Sequence, residues 1–94
     1  MIYISGKITG INDYLQRFEK VEKELTNRNF VVVNPAKINY QLPKLEYKDY
    51  IKISLCLLSL CDSIYMMIGW EDSRGANLEW QYAKANNYKI YYEN

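Results

Sequence analysis

Ser63-Ile-Tyr-Met-Met-Ile68, followed after a short glycine-bearing link by Ser73-Arg-Gly-Ala-Asn-Leu-Glu79, is the stretch that decides the fold. A continuous apolar run without polar alternation reads as a strand buried on both faces, the signature of a parallel sheet. The strand ends in a loop that enters a helix over about Ala76 to Asn86. Ser73, Arg74 and Gly75 therefore bring a hydroxyl, a guanidinium and free backbone N–H groups to one helix N-terminus, which is an anion site. Glu79 lies about one helical turn beyond Gly75, so its carboxylate sits beside whatever carries the anion. A phosphate with a carboxylate nearby suggests a sugar phosphate.

Outward from this stretch, β-type and helix-type patterns alternate. Met1 to Ser5 is a short apolar run closed by Gly6 and Gly10, and Phe30-Val-Val-Val33 is a β-branched run closed by Asn34-Pro35. Both read as buried parallel strands. Between them Tyr14, Phe18, Val21 and Leu25 form one helical stripe, opened by Asp13 and Gln16 in the spacing of a capping box. Residues 35–43 read as an irregular connection or lid. About Leu45 to Leu60 reads as a second, well-buried helix, with Tyr47, Ile51, Leu55 and Leu58 in line. Lys89-Ile-Tyr-Tyr92 supplies a fourth strand. Strands separated by helices imply βαβ units and an α/β fold with a parallel sheet of about four strands. Ligands of such sheets bind at the carboxyl ends of the strands, where strand order reverses, and both glycine-bearing loops fall on that edge.

Composition narrows the functions. With 94 residues the chain is a single domain, 1–94, with one modest core that oligomerisation would help. The formal net charge is +1 with no block of like charge, which argues against a nucleic-acid or membrane footprint and for a small-molecule partner. The chain begins without a signal-peptide pattern, and a cytoplasmic location is expected. There is no histidine, and the two cysteines, Cys56 and Cys61, cannot complete a zinc tetrad, so they read as buried free thiols and no metal or cofactor is expected. Without histidine, Ser-His and Cys-His nucleophilic catalysis is excluded and any chemistry must run on carboxylates.

The ordered set Tyr3-Ile-Ser-Gly-Lys-Ile-Thr-Gly10, Asn34-Pro35, Cys61-Asp62 and Gly69-Trp70 with Ser73-Arg-Gly-Ala-Asn-Leu-Glu79 resembles the nucleoside 2-deoxyribosyltransferase superfamily over nearly the whole chain, in particular a branch of small bacterial and phage proteins. The resemblance implies a flavodoxin-like three-layer α/β sandwich, usually oligomeric. It further implies cleavage of the bond between base and deoxyribose by transferases and 5′-phosphate N-hydrolases. Glu79 then matches the glutamate that attacks the anomeric carbon, and Tyr3 the first-strand tyrosine. Ser73 matches the serine that helps hold the 5′-phosphate, and Lys7 and Thr9 the contributing positions of the first glycine loop. Ser5, Gly6, Arg74, Gly75 and Ala76 complete the expected ligand-binding set, and Trp70 is placed to stack on a base.

The chain departs from the family pattern at one point. The register set by Cys61-Asp62 puts Ser54 where the hydrolases carry an aspartate that protonates the departing base. A serine hydroxyl is no general acid near pH 7, and loss of a positioned acid typically removes ~10²- to 10⁴-fold of rate. Two functions are expected from this. One is a binding protein that holds a phosphorylated nucleoside or an ADP-ribose-like nucleotide uncut, as a phage would use to sequester a host signal. The other is an N-glycosidic hydrolase or deoxyribosyltransferase with Glu79 as nucleophile. Beside these stand plainer readings: Glu79 as an exposed partner of a lysine, Arg74 as a surface arginine, Tyr3 as packing, and Trp70 and Trp80 as a core edge or subunit interface.

Overall fold

The computed structural model describes residues 1–94. Four strands, β1 (Ile2–Ser5), β2 (Val32–Val33), β3 (Ser63–Met66) and β4 (Lys89–Tyr92), form one sheet in the order β2-β1-β3-β4, every neighbour parallel. The helices are α1 (Tyr14–Asn27), α2 (Pro35–Tyr40), α3 (Tyr47–Ser59) and α4 (Arg74–Ala85), with a single 3-10 turn at Trp70–Asp72 ahead of α4. The chain steps from β1 outward to β2, then back across β1 to β3 and on to β4. Right-handed crossovers force the connecting helices to change face when the direction reverses. The protein is thus an α/β domain of the flavodoxin-like three-layer kind, with its topological switch point between β1 and β3.

Strand parity sorts the core. Ile2 and Ile4 pack with Phe18, Val21 and Leu25 of α1, while Tyr3 turns to the other face with Ile64, Met66 and, from α3 and α4, Leu58, Ala76 and Ala83. Successive side chains of a strand alternate faces, so Ser5 shares the face of Tyr3. All four residues of β1 and all four of β3 are buried, as expected of central parallel strands. No helix is long and apolar enough to cross a membrane.

Several expectations need correction. The connection after Pro35 is not irregular at its start: Asn34 caps α2 by accepting from the Lys37 N–H at 3.2 Å, and Pro35 occupies the first helical turn. The Asn-Pro pair that closes the second strand also opens a helix. The run Phe30–Val33 pairs only at Val32 and Val33, and Val31 is 67% exposed, because β2 is an edge strand entered from a turn with Asn29 at φ 68°. β3 ends at Met66 rather than Ile68, before Gly69 turns the chain at φ +90°. Asp13 stands at the N-cap of α1 without a side-chain capping bond. Helix α3 is only partly covered, with Ser54 and Leu58 its buried residues. Cys61 is buried but Cys56 is exposed, facing away from the stripe that meets the sheet.

Candidate functional site

At the carboxyl ends of β1 and β3 lies a cavity of about 330 Å³. That is the lower end of the ~300–1,000 Å³ found for small-molecule sites. Its walls come from the loop after β1 (Gly6, Ile8, Thr9), from α2 (Asn39, Tyr40), from α3 (Tyr47, Tyr50, Ile51, Ser54) and from the start of α4 (Ser73, Gly75, Ala76), with Tyr14 of α1 closing one side. Glu79 also lines it.

Glu79 is a buried carboxylate, 7% exposed. Its place follows from two periodicities. Tyr3 and Ser5 lie two apart on β1 and present their hydroxyls on one face; α4 crosses that face and sets Glu79 above them. Ser5 donates to Oε1 at 2.7 Å and Tyr3 donates to Oε2 in a short hydrogen bond. Burial raises the Glu79 carboxyl from its ordinary value of 4.5 to about 7, against the two hydroxyl bonds, which favour the charged form. Tyr3, fully buried, is pushed well above the ordinary phenol value, first by burial and then by the neighbouring Glu79 charge. Ser54, buried on α3, lines the same cavity as Glu79.

One rim of the cavity is built by the entry to α4. Ser73 caps the helix, its Oγ accepting from the Ala76 N–H at 3.1 Å. Because that bond uses only an oxygen lone pair, the hydroxyl proton is free for a ligand, and the N–H groups of Arg74 and Gly75 have no acceptor within the helix. The helix starts at Arg74, two residues before the expected boundary, because the cap is Ser73. Gly6 allows a close approach: a Cβ there would lie 2.9 Å from the Met67 sulfur.

Of the expected site residues, Gly6, Thr9, Ser73, Gly75, Ala76 and Glu79 line the cavity. Tyr3 and Ser5 stand behind Glu79 and orient it. Lys7 and Trp70 do not line the wall. Trp70 instead stacks on Trp80, with ring centroids 5.4 Å apart, and Trp80 donates to the Tyr92 hydroxyl at 3.0 Å. Arg74 does not line the cavity either: it is exposed, its guanidinium over the ring of Tyr47 at 5.6 Å. The sequence reading missed the tyrosines. Tyr14 and Tyr47 sit on helical stripes that look like core, and Tyr40 and Tyr50 carry no motif; Asn39 lay in the supposed loop.

No group of three or more acidic, cysteine or histidine side chains converges to hold a metal ion. The fold and the site together define an open parallel α/β domain with a crevice at its switch point, floored by a clamped, buried carboxylate. Residues 1–92 match the family described as Domain of unknown function (DUF4406), and the chain belongs to that family. Comparisons with curated proteins and with solved structures gave no match.

Proposed function

We propose that the protein binds a phosphorylated nucleoside, or an ADP-ribose-like nucleotide, in a deoxyribosyltransferase-like pocket in the cytoplasm and holds it uncut. The observation that carries this reading is the cavity's inventory of ionisable groups. Glu79 is the one carboxylate among the lining residues, and the remaining ionisable groups there are tyrosines. Cleaving an N-glycosidic bond with a carboxylate nucleophile calls for a second acid to protonate the leaving base, in the manner of the paired carboxylates of glycosidases. Ser54, in the cavity wall, takes the position of that acid in the register the family resemblance implies. The reading is further supported by the Ser73 hydroxyl and the N-terminus of α4, which suit a phosphate, by the tyrosines of the wall, which suit a base, and by the Glu79 carboxylate, which suits a sugar hydroxyl. Retention without turnover suits sequestration of a nucleotide signal, a role that would serve a phage.

A second reading is hydrolysis, favoured by the hydrogen bonds of Tyr3 and Ser5, which hold Glu79 as a nucleophile must be held. Incubation with deoxynucleoside monophosphates and ADP-ribose derivatives, followed by mass spectrometry of retained and released species, separates the two. Intact nucleotide retained at protein stoichiometry is the expected result. Free base released in step with substrate loss, and abolished in Glu79→Gln, overturns sequestration and establishes the hydrolase.

We also infer that the chain associates with itself through the β4 edge. The N–H groups of Lys89 and Glu93 bond to carbonyls on the β3 side, to Asp62 and Met66, so by alternation those of Ile90 and Tyr92 turn outward from the sheet. An unpaired edge of this kind is a template for a second strand.

A further inference from the structure

We propose that Asn39 reads the edge of the base and selects one that carries an exocyclic amino group next to a ring nitrogen, as adenine and cytosine do. The proposal rests on the nucleotide-binding reading above and gives the pocket its ligand class. Asn39 lies near the end of α2, in the wall of the cavity. Its Oδ1 is buried and accepts no hydrogen bond, and it is the one side-chain atom in the protein in that condition. Buried acceptors are otherwise satisfied, here as in proteins generally, and each exception calls for a physical account.

The surroundings supply one. Tyr14, Tyr40, Tyr47 and Tyr50 share the cavity with Asn39, and their rings offer π-faces for a flat heterocycle. The phosphate rim belongs to α4, a different element, so the base and phosphate subsites are physically separate and a nucleotide spans them past Glu79. A carboxamide offers one acceptor and one donor side by side, the pattern that pairs with the amino group and adjacent ring nitrogen of adenine. The terminal torsion of asparagine is broad, so rotation about it brings the unpartnered Oδ1 to the ligand. There it accepts from the exocyclic amino group, while Nδ2 donates to the ring nitrogen. An ordered water on Oδ1 is the competing account.

Titration calorimetry with deoxyadenosine 5′-monophosphate and its analogue lacking the 6-amino group tests the proposal, in the wild-type protein and in Asn39→Ala. The wild type should bind the amino-bearing nucleotide about ten- to a hundred-fold more tightly. In Asn39→Ala the two affinities should become equal. Asn39→Asp, which keeps the acceptor but loses the donor to the ring nitrogen, should weaken both nucleotides and retain the preference; it also covers the case in which the alanine variant fails to fold. Equal wild-type affinities would overturn the proposal and leave nucleotide binding standing, as would a preference unchanged by Asn39→Ala. Failure of the wild type to bind any 5′-nucleotide would overturn the nucleotide reading itself, and this proposal with it.

Discussion

Glu79 sets the behaviour of this protein with pH. In the folded chain its carboxyl holds a proton up to about pH 7, whereas its ordinary value is 4.5. Between those values the folded state binds more protons than the unfolded one, so stability falls as pH rises. The favourable contribution is complete below about 4.5 and lost as pH passes through about 7. Glu79→Gln removes this dependence while keeping side-chain size. Urea unfolding from pH 4 to 8 should show the wild type losing roughly 3 kcal/mol relative to the variant across that window. Parallel curves for the two proteins would mean that the carboxylate is not desolvated in solution. Much of this site was legible in the chain. Glu79 follows from its place one turn into the helix after Ser73-Arg-Gly75, whereas Tyr3 and Ser5 come from the resemblance carried by the first strand and its glycine loop. That Glu79 is buried and doubly hydrogen-bonded was not legible, because it depends on where α4 crosses β1.

At the scale of elements, the proposed function gives the start of α4 two tasks carried by one side chain. Ser73 caps the helix, and under the proposed function its hydroxyl also donates to the phosphate, so its loss should be felt twice. Ser73→Ala should lower stability by about 1 kcal/mol, read as a lower urea midpoint, and should also weaken binding of 5′-monophosphates. Ser73→Asp separates the tasks. An aspartate caps as well as a serine, so stability should return, but its charge repels phosphate and affinity should fall further. A Ser73→Asp protein that bound monophosphates as tightly as wild type would show that the phosphate lies elsewhere. Helix α2 is the element with the weakest signal in the sequence. Its six residues, Pro35–Tyr40, are too few to display a periodic stripe, and its one local signal, Asn34-Pro35, also serves as the end of a strand. For the same reason nothing in the sequence marks Asn39 and Tyr40 as cavity residues.

At the scale of the whole molecule, the sheet ends on an open side. β4 pairs with β3 alone, Tyr92 is 53% exposed, and the Trp70–Trp80 stack lies beside it. Sedimentation of the purified protein at micromolar concentration should give a multiple of the 11.2 kDa chain mass. Tyr92→Asp, which places charge on the edge, should shift it toward the monomer. A monomeric wild type would overturn self-association through this edge. Fold class was determined by the sequence itself, since uninterrupted apolar runs separated by helical stripes admit few arrangements other than a parallel sheet with crossover helices, and the hand of those crossovers follows from chain chirality. The cavity was decided only by the tertiary structure. A side chain such as Tyr47 or Ile51 has the same pattern along a helix whether it faces packed neighbours or an unfilled space, and only the packing of α2, α3 and α4 around the end of β1 leaves that space open.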